Sequence, residues 1–292
     1  MIESAGVIGA GVMGKGIARH LSNAGCKVAL IDSDPAQLAN AEAELGDTDI
    51  TLSDELQDCQ SADFVIEAVI EELAIKQNLL ATLSRLNEAT IIASNTSSLL
   101  IRDLATNVTV PSRFLGVHYN NPADFNPIVE VIPTDYTHPE ITDHIQDWYS
   151  QTGKQTVRCK DTSGFILNRQ SLPYMNEAIR CLDSASQGVI DVIAVSELGV
   201  GLGPFAVMNL VGLKVMAAAS LNLESLGEGY KAAQALQEEV TTDNEGLLNE
   251  QDFSFSKKSH DDTQLNVSSD ALINYLDTRH REKLIKELTP TL

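Results

Sequence analysis

Short β-branched runs alternate with helical stretches over the first 160 residues of the chain. Seven such runs predict strands, namely Gly6–Ile8, Val28–Ile31, Asp63–Ala68, Thr90–Ser94, Phe114–Val117, Val129–Ile132 and Gln155–Arg158. Between the first two strands, Met13, Ile17 and Leu21 recur at helical spacing and predict a helix over Val12–Asn23. This alternation is typical of an α/β fold with a doubly wound, mostly parallel sheet.

The pattern changes near residue 160, because no strand signal of similar quality follows. Gly164–Ser184 carries its apolar residues on one broad face and predicts a long helix. We therefore expect an α/β domain over residues 1–160 and an all-helical domain over residues 161–292. Ser, Asp, Asn and Thr dominate from about residue 240 to 269, which predicts a polar, partly mobile segment before a final helix over Asp270–Leu288.

Composition narrows the class of protein. Hydrophobic residues make up 43% and charged residues 21% of the chain, as in ordinary globular proteins, which excludes wholesale disorder. No apolar run is long enough to span a bilayer, and no basic stretch precedes the first apolar run, so we expect neither a membrane segment nor a secretory signal. Because the four cysteines lack CxxC spacing, we expect no metal site, no disulfide framework and a cytoplasmic location.

Charge excludes two kinds of partner. The chain carries 20 basic and 41 acidic residues, a formal net charge of −21. Such a chain repels nucleic acid and anionic lipid, so we expect neither nucleic acid nor a membrane as a partner. We interpret the acidic excess as a solvated surface.

A glycine-rich turn, Gly9-Ala10-Gly11-Val12-Met13-Gly14, stands between the first predicted strand and helix. Gly9 permits a tight turn, Gly11 lets the backbone approach a pyrophosphate, and Gly14 lets helix and strand pack closely. Asp32 follows at the end of the second strand, where an acid holds the adenosine ribose and repels a 2′-phosphate. The pattern predicts a Rossmann-type site that binds NAD rather than NADP. The alternative is a glycine turn that stands beside a surface aspartate and binds no cofactor.

Further motifs occur one after another along the chain, and the first of them begins within the glycine turn. They are Gly11–Ala18, Val65–Val69, Ser94–Leu99, His118 with Asn121-Pro122, Val129–Val131, Lys160–Arg169 and Gly203–Phe205. With these motifs the chain resembles the L-3-hydroxyacyl-CoA dehydrogenases over roughly residues 5–215. The resemblance implies a Rossmann domain that binds NAD, then a helical domain that usually forms a homodimer, with the active site between them.

A base is required when a secondary alcohol is oxidised, because the hydroxyl proton must leave as the hydride leaves carbon. His118 is the candidate, since imidazole titrates near neutral pH and His118 directly follows the predicted strand Phe114–Val117. The resemblance pairs His118 with Glu130, whose carboxylate would orient the ring. Taken alone, a histidine at a strand end is more often structural.

The resemblance also assigns six polar residues. It implies substrate contacts by Ser97, Asn121 and Asn168, and cofactor contacts by Glu71, Lys76 and Asn95. The side chains of Ser97 and Asn168 can hydrogen-bond a developing carbonyl or alkoxide. Two alternatives stay open, in which Ser97 caps the helix after Leu99 and Asn168 caps the helix that starts near Gly164.

The chain departs from the family where CoA would bind. Only 35 residues separate Asp32 from Glu67, so the helical hairpin that holds the CoA nucleotide is missing from this short variant. Residues 28–75 contain 13 acids and no Lys or Arg, which would repel a polyanionic nucleotide. The stretch Asn121–Asp124 with Pro127 is similar to the dehydrogenases that oxidise carrier-protein-bound hydroxyacyl groups in polyketide extender-unit pathways.

These departures predict a 3-hydroxyacyl thioester substrate that is borne on an acyl carrier protein rather than on CoA. A carrier protein is itself acidic, so it would dock on a basic surface. The candidate docking surface is a basic cluster, for which the alternative is a solvated helix face: Arg279, Arg281, Lys283 and Lys286. Two other functions stay open. One is a dehydrogenase of a free hydroxy acid, as in the gulonate- and carnitine-oxidising relatives, and the other is a non-catalytic NAD-binding protein.

Overall fold

Eight strands pair into one sheet in the computed structural model, which describes residues 2–46 and 48–241. They are β1 (Ser4–Ile8), β2 (Lys27–Ile31), β3 (Ile50–Ser53), β4 (Phe64–Glu67), β5 (Ile91–Ser94), β6 (Phe114–Tyr119), β7 (Ile128–Pro133) and β8 (Gln155–Arg158). All seven predicted strands are present with small changes of bounds, and β3 is an additional short strand at the sheet edge.

The sheet order is β3-β2-β1-β4-β5-β6-β7-β8. Strands β1 to β6 run parallel, whereas β7 pairs antiparallel with β6, and β8 runs parallel to β7. The prediction of a Rossmann-type, doubly wound and mostly parallel sheet is therefore confirmed. Because the order reverses between β1 and β4, the carboxyl ends of these two strands are where such sheets bind ligands.

Helices connect the strands of this first unit, which ends at Phe165. They are α1 (Val12–Asn23), α2 (Pro35–Leu45), α3 (Leu73–Leu86), α4 (Ile101–Ala105) and α5 (Pro139–Gln151). Local chemistry starts α2, since the Asp34 carboxylate accepts a hydrogen bond from the Ala36 N–H at 2.9 Å and Pro35 occupies the first turn. The described residues between β2 and β3 contain α2 and no second helix.

The second unit begins at Ile166 and is helical, with no strand in its described residues up to 241. Its helices are α6 (Leu167–Arg180), α7 (Gln187–Leu198), α8 (Pro204–Val211), α9 (Leu213–Leu223) and α10 (Gln234–Thr241). Their buried apolar side chains, among them Leu172, Phe205 and Met216, form a core of their own. Within the described ranges no single helix is long and apolar enough to cross a membrane, although Pro204–Val211 and Leu213–Leu226 pass that test as a pair bent by 98°.

The helix predicted over Gly164–Ser184 is shorter than expected. Gly164 and Phe165 have φ angles of 75° and 45°, in the left-handed region that an α-helix does not use, so α6 begins at Leu167. At the other end, Cys181–Asp183 tightens into a 3-10 turn. Three further predictions lie outside the described residues, namely the polar segment beyond residue 241, the final helix and its basic cluster.

A buried polar network joins α1 to β6 and α5. His20 is 6% exposed, and its Nδ1 lies 2.9 Å from the Tyr119 hydroxyl while its Nε2 lies 3.1 Å from the Thr152 hydroxyl. The Tyr119 hydroxyl donates to that of Tyr149 at 2.9 Å. Burial, with a further contribution from the Lys154 ammonium, lowers the pKa of His20 to about 4. The fold therefore requires this imidazole to be neutral.

This network predicts a loss of stability in acid. In the unfolded chain the pKa of His20 returns to 6.5, so its contribution to stability is complete above that pH and is lost as the pH falls towards 4. The loss amounts to about 3 kcal/mol. We expect His20→Gln, which does not titrate, to have a flatter pH dependence of the free energy of unfolding in urea. The same substitution at exposed His138 should keep the wild-type dependence, and equal slopes for wild type and His20→Gln would contradict the assignment.

Candidate active site

The glycine-rich turn leads from β1 into α1 beside the reversal of the sheet order. Gly9 has a φ of 103°, and a Cβ on it would lie 2.8 Å from the carbonyl oxygen of Ala68. A Cβ on Gly14 would lie 1.7 Å from the Gly9 oxygen, so the helix and the turn approach closely only because both are glycines. A Cβ on Gly11 would meet no described atom within 4 Å, so a ligand has room against the backbone there.

The residues of this turn fit a dinucleotide. The first N–H groups of α1 have no partner within the helix and carry a partial positive charge, which suits a pyrophosphate. Asp32 directly follows β2, and its Oδ2 accepts a hydrogen bond from the Ala10 N–H at 2.7 Å. The carboxylate is thereby held beside the turn, where it can bind ribose hydroxyls. The predicted NAD contacts in this region are Gly9, Gly11, Val12, Met13, Gly14 and Asp32.

A buried histidine–carboxylate pair spans β6 and β7. His118 and Glu130 stand directly opposite each other in the antiparallel ladder. Both are buried, and His118 Nδ1 lies 2.6 Å from Glu130 Oε2. Because Nδ1 faces the carboxylate, proton exchange with a substrate falls to Nε2.

Two residues that the sequence did not single out complete this pair. The Cys159 sulfur lies 3.3 Å from Glu130 Oε1, and the Phe165 ring lies 5.6 Å from that of His118. Cys159 reaches Glu130 because it follows β8, which pairs with β7. Phe165 lies within the motif Lys160–Arg169, but no local sequence signal links it or Cys159 to His118 and Glu130, since both contacts depend on how distant parts of the chain pack.

One carboxylate, Glu71, organises the turn after β5. Its Oε1 accepts hydrogen bonds from the Ser97 N–H at 2.8 Å, the Ser98 N–H at 2.9 Å and the Thr96 hydroxyl at 2.6 Å. Burial acts to raise the pKa of Glu71, but the Lys76 ammonium and these hydrogen bonds outweigh it and hold that pKa below its ordinary value. Glu71 is therefore an anion that fixes the position of Ser97.

Lys76 lies in the interior between two carboxylates. Its side chain is 1% exposed, and Nζ lies 2.8 Å from Glu67 Oε2 and 3.4 Å from Glu71 Oε2. It also donates to the Val69 carbonyl at 3.1 Å. Glu67, which ends β4, is fully buried and accepts a hydrogen bond from the Ser94 hydroxyl. Lys76 is thus the counter-ion of Glu67 and Glu71. Direct contact of Lys76 with a cofactor stays a prediction.

The other predicted residues have varied surroundings. Asn95 directly follows β5, and its Oδ1 accepts a hydrogen bond from the Tyr119 N–H at 2.8 Å, which ties this asparagine to the residue after His118. Ser97 does not cap α4, because Leu100 holds the N-cap position. Asn121 lies in the loop after β6, and Asn168 is the second residue of α6 in the other unit.

Comparison with known proteins gives consistent matches. A family profile described as "3-hydroxyacyl-CoA dehydrogenase, NAD binding domain" matches residues 4–162, and that of the C-terminal domain matches residues 164–254. The human mitochondrial hydroxyacyl-coenzyme A dehydrogenase is 35% identical over 242 residues, 73% of this chain and 77% of its own. A 3-hydroxybutyryl-CoA dehydrogenase of Mycobacterium tuberculosis is 32% identical over 240 residues, 74% of this chain and 84% of its own. The crystal structure of M. tuberculosis FadB2 matches with a TM-score of 0.76 at 29% identity, covering 82% of this chain and 94% of that one.

The Rossmann sheet and the glycine turn define an NAD-binding domain, and the matches make the chain an NAD-dependent oxidoreductase. Both family profiles match in the expected order, and relatives above 30% identity cover most of the chain. The chain belongs to the 3-hydroxyacyl-CoA dehydrogenase family.

Proposed function

We propose that this enzyme oxidises the 3-hydroxyl of a 3-hydroxyacyl thioester, or reduces the 3-oxo form in the reverse direction, with His118 as the general base. The observation that carries the proposal is the buried pair of His118 and Glu130 at 2.6 Å. A base that is oriented by a carboxylate is what removal of a hydroxyl proton requires. A protein that only binds NAD has no chemical use for such a pair.

The chain's own residues handle the proton and the substrate oxygen. His118 takes the hydroxyl proton on Nε2, and Glu130 beside Nδ1 stabilises the imidazolium that forms. Glu71 fixes Ser97 through its backbone N–H, and the Ser97 hydroxyl turns its proton from Glu71 Oε1, 3.3 Å away, to the substrate oxygen as it becomes a carbonyl. NAD, when bound, supplies the acceptor for the hydride. In the reverse direction His118 returns the proton to the oxygen.

Within this class we favour a thioester on a carrier protein over one on CoA. Two observations support this choice. In its described residues, the connection between β2 and β3 contains α2 and no second helix. Residues 28–75 hold 13 acids and no basic residue that could attract the CoA nucleotide. The relatives are named as CoA dehydrogenases, so the CoA thioester is the second candidate, and a free hydroxy acid is the third.

One acyl group presented in three forms tests the proposal. The same 3-oxoacyl chain is offered on a carrier protein, on CoA and as the free acid, and NADH consumption is followed by absorbance. We expect the highest kcat/KM for the carrier-protein form. A higher kcat/KM for the CoA form would reassign the carrier, and turnover of the free acid alone would remove the thioester from the proposal. Absence of turnover with all three would overturn the proposed function.

We further propose that the enzyme is a homodimer. The second unit exposes several large apolar side chains on or beside α7, α8 and α9: Val192, Val195, Leu202, Leu210, Val215 and Leu221. Exposed apolar side chains mark protein interfaces where they lie side by side, and the family resemblance implies a homodimer. Light scattering should therefore give twice the 31.5 kDa mass of the chain, and a value of 31.5 kDa would show a monomer.

A further inference from the structure

The connection between β6 and β7, residues 120–127, joins the two strands that carry His118 and Glu130. Asn121 belongs to this connection. These residues lie outside the ladder, which ends at the pair Tyr119↔Val129. They are held by hydrogen bonds among themselves, such as that from the Asn126 N–H to the Pro122 carbonyl at 2.8 Å, and by contacts from elsewhere in the fold. One of the contacts from elsewhere is made by a lysine that has no part in the pair of His118 and Glu130.

Lys154, immediately before β8, directs its ammonium into this connection. Its Nζ donates to the carbonyl of Asn126 at 2.6 Å and to that of Ala123 at 2.7 Å, and it lies 3.4 Å from the carbonyl oxygen of Asp124. The lysine is 5% exposed. Burial lowers the pKa of Lys154, and the charge of Asp124 opposes that effect. Three carbonyl dipoles thus converge on one buried cation, as they would on a bound metal ion.

Helix α1 holds the same connection from another direction. Arg19 pairs with the Asp124 carboxylate at 2.8 Å. Ala123 is buried, and a Cβ on Gly16 would lie 3.1 Å from the Ala123 Cβ, so the connection packs closely against α1. Arg19 is partly exposed and bonds a side chain, whereas Lys154 is buried and bonds the backbone itself. The Gln155 N–H also donates to the Pro127 carbonyl at 2.7 Å, and the ammonium is the buried side-chain group that holds the main chain at Ala123 and Asn126.

We propose that Lys154 is a positioning residue for substrate binding, whose ammonium fixes the backbone of residues 120–127 and so the place from which Asn121 meets the acyl thioester. This inference rests on the proposed function, because it takes Asn121 as a substrate contact. Without the ammonium, the carbonyls of Ala123 and Asn126 lose their buried donor and the connection opens to find water. His118 and Glu130 stay paired, since the β6–β7 ladder holds them independently from Leu115↔Pro133 to Tyr119↔Val129.

The substitution Lys154→Met tests this inference, because methionine fills the stem's space without the charge. We expect KM for the thioester to rise about tenfold or more, with kcat changed by less than about threefold. Lys27→Met removes an exposed lysine and should leave both constants unchanged. In Lys154→Ala, added n-propylammonium should lower KM towards the wild-type value, whereas sodium at the same ionic strength should not.

Several outcomes overturn the inference. An unchanged KM in Lys154→Met does so, as does a fall in kcat alone, which would place Lys154 in the chemical step. Rescue by sodium, or no rescue by n-propylammonium, removes the specific role of the ammonium. A crystal structure of Lys154→Met decides the matter without turnover, since residues 120–127 should shift while the β6–β7 ladder is kept. If wild type turns over no thioester, the proposed function fails, and this structure still shows whether Lys154 positions the connection.

Discussion

Replacing His118 with alanine should lower kcat by about 10²–10⁴-fold, while NADH binding persists. The reason is that the hydroxyl proton loses its acceptor, whereas the glycine turn and Asp32 are untouched. Stopped-flow or steady-state absorbance of NADH gives kcat, and NADH fluorescence titration gives the dissociation constant. Unchanged turnover in His118→Ala would remove the histidine from the chemistry.

Two further variants show whether the loss of turnover is specific to the pair of His118 and Glu130. Glu130→Gln keeps the shape of the partner but loses the anion 2.6 Å from His118 Nδ1, so kcat should fall there too, by less than in His118→Ala. His138→Ala removes an exposed histidine and should retain full turnover. If His118→Ala also lost NADH binding, a general collapse of the site would be the better explanation.

Substituting Lys76 by methionine should destabilise the fold by about 3–5 kcal/mol. Glu67 is fully buried, and Lys76 Nζ is the cation 2.8 Å from it, so the substitution leaves a carboxylate without its counter-ion in the interior. Urea unfolding followed by far-UV circular dichroism measures the change in the free energy of unfolding.

Two comparisons separate this effect from a general intolerance of the site. Adding Glu67→Gln to Lys76→Met removes the unpaired charge and should recover much of the loss, which a double-mutant cycle quantifies. Lys15→Met also removes a buried lysine, but its partner Glu44 is half exposed, so the loss should stay within about 1 kcal/mol. Equal losses for Lys76→Met and Lys15→Met would contradict the role assigned to Glu67.

Much of the first unit could be predicted because its elements have local signals. The helix predicted over Val12–Asn23 has those bounds in the structure, since its apolar spacing and the preceding glycines define both the face and the start. By contrast, β3 (Ile50–Ser53) lies at the sheet edge with Thr51 exposed, and its four residues alternate apolar and polar over too short a run to identify a strand. The start of α6 was misplaced because the positive φ of Phe165 leaves no mark in the sequence.

The pairing of His118 with Glu130 could be predicted from the sequence, whereas the contacts around the pair could not. The family resemblance implies the pairing of His118 with Glu130, and the β6–β7 ladder places the two residues opposite each other. The burial of Lys76 and the contact of Cys159 with Glu130 require knowledge of which distant elements pack side by side. The residues next to a lysine or cysteine in the sequence do not show whether its side chain is buried or exposed.

The ladder between β6 and β7 also limits how this enzyme can change over evolution. Successive residues of a strand point to opposite faces of the sheet, so a slip of one residue in the β6–β7 register would turn His118 away from Glu130. Insertions and deletions within residues 120–127 avoid that penalty when the two strands keep their partners. The connection can therefore change in length and sequence over evolution while the pairing of His118 with Glu130 is inherited unchanged.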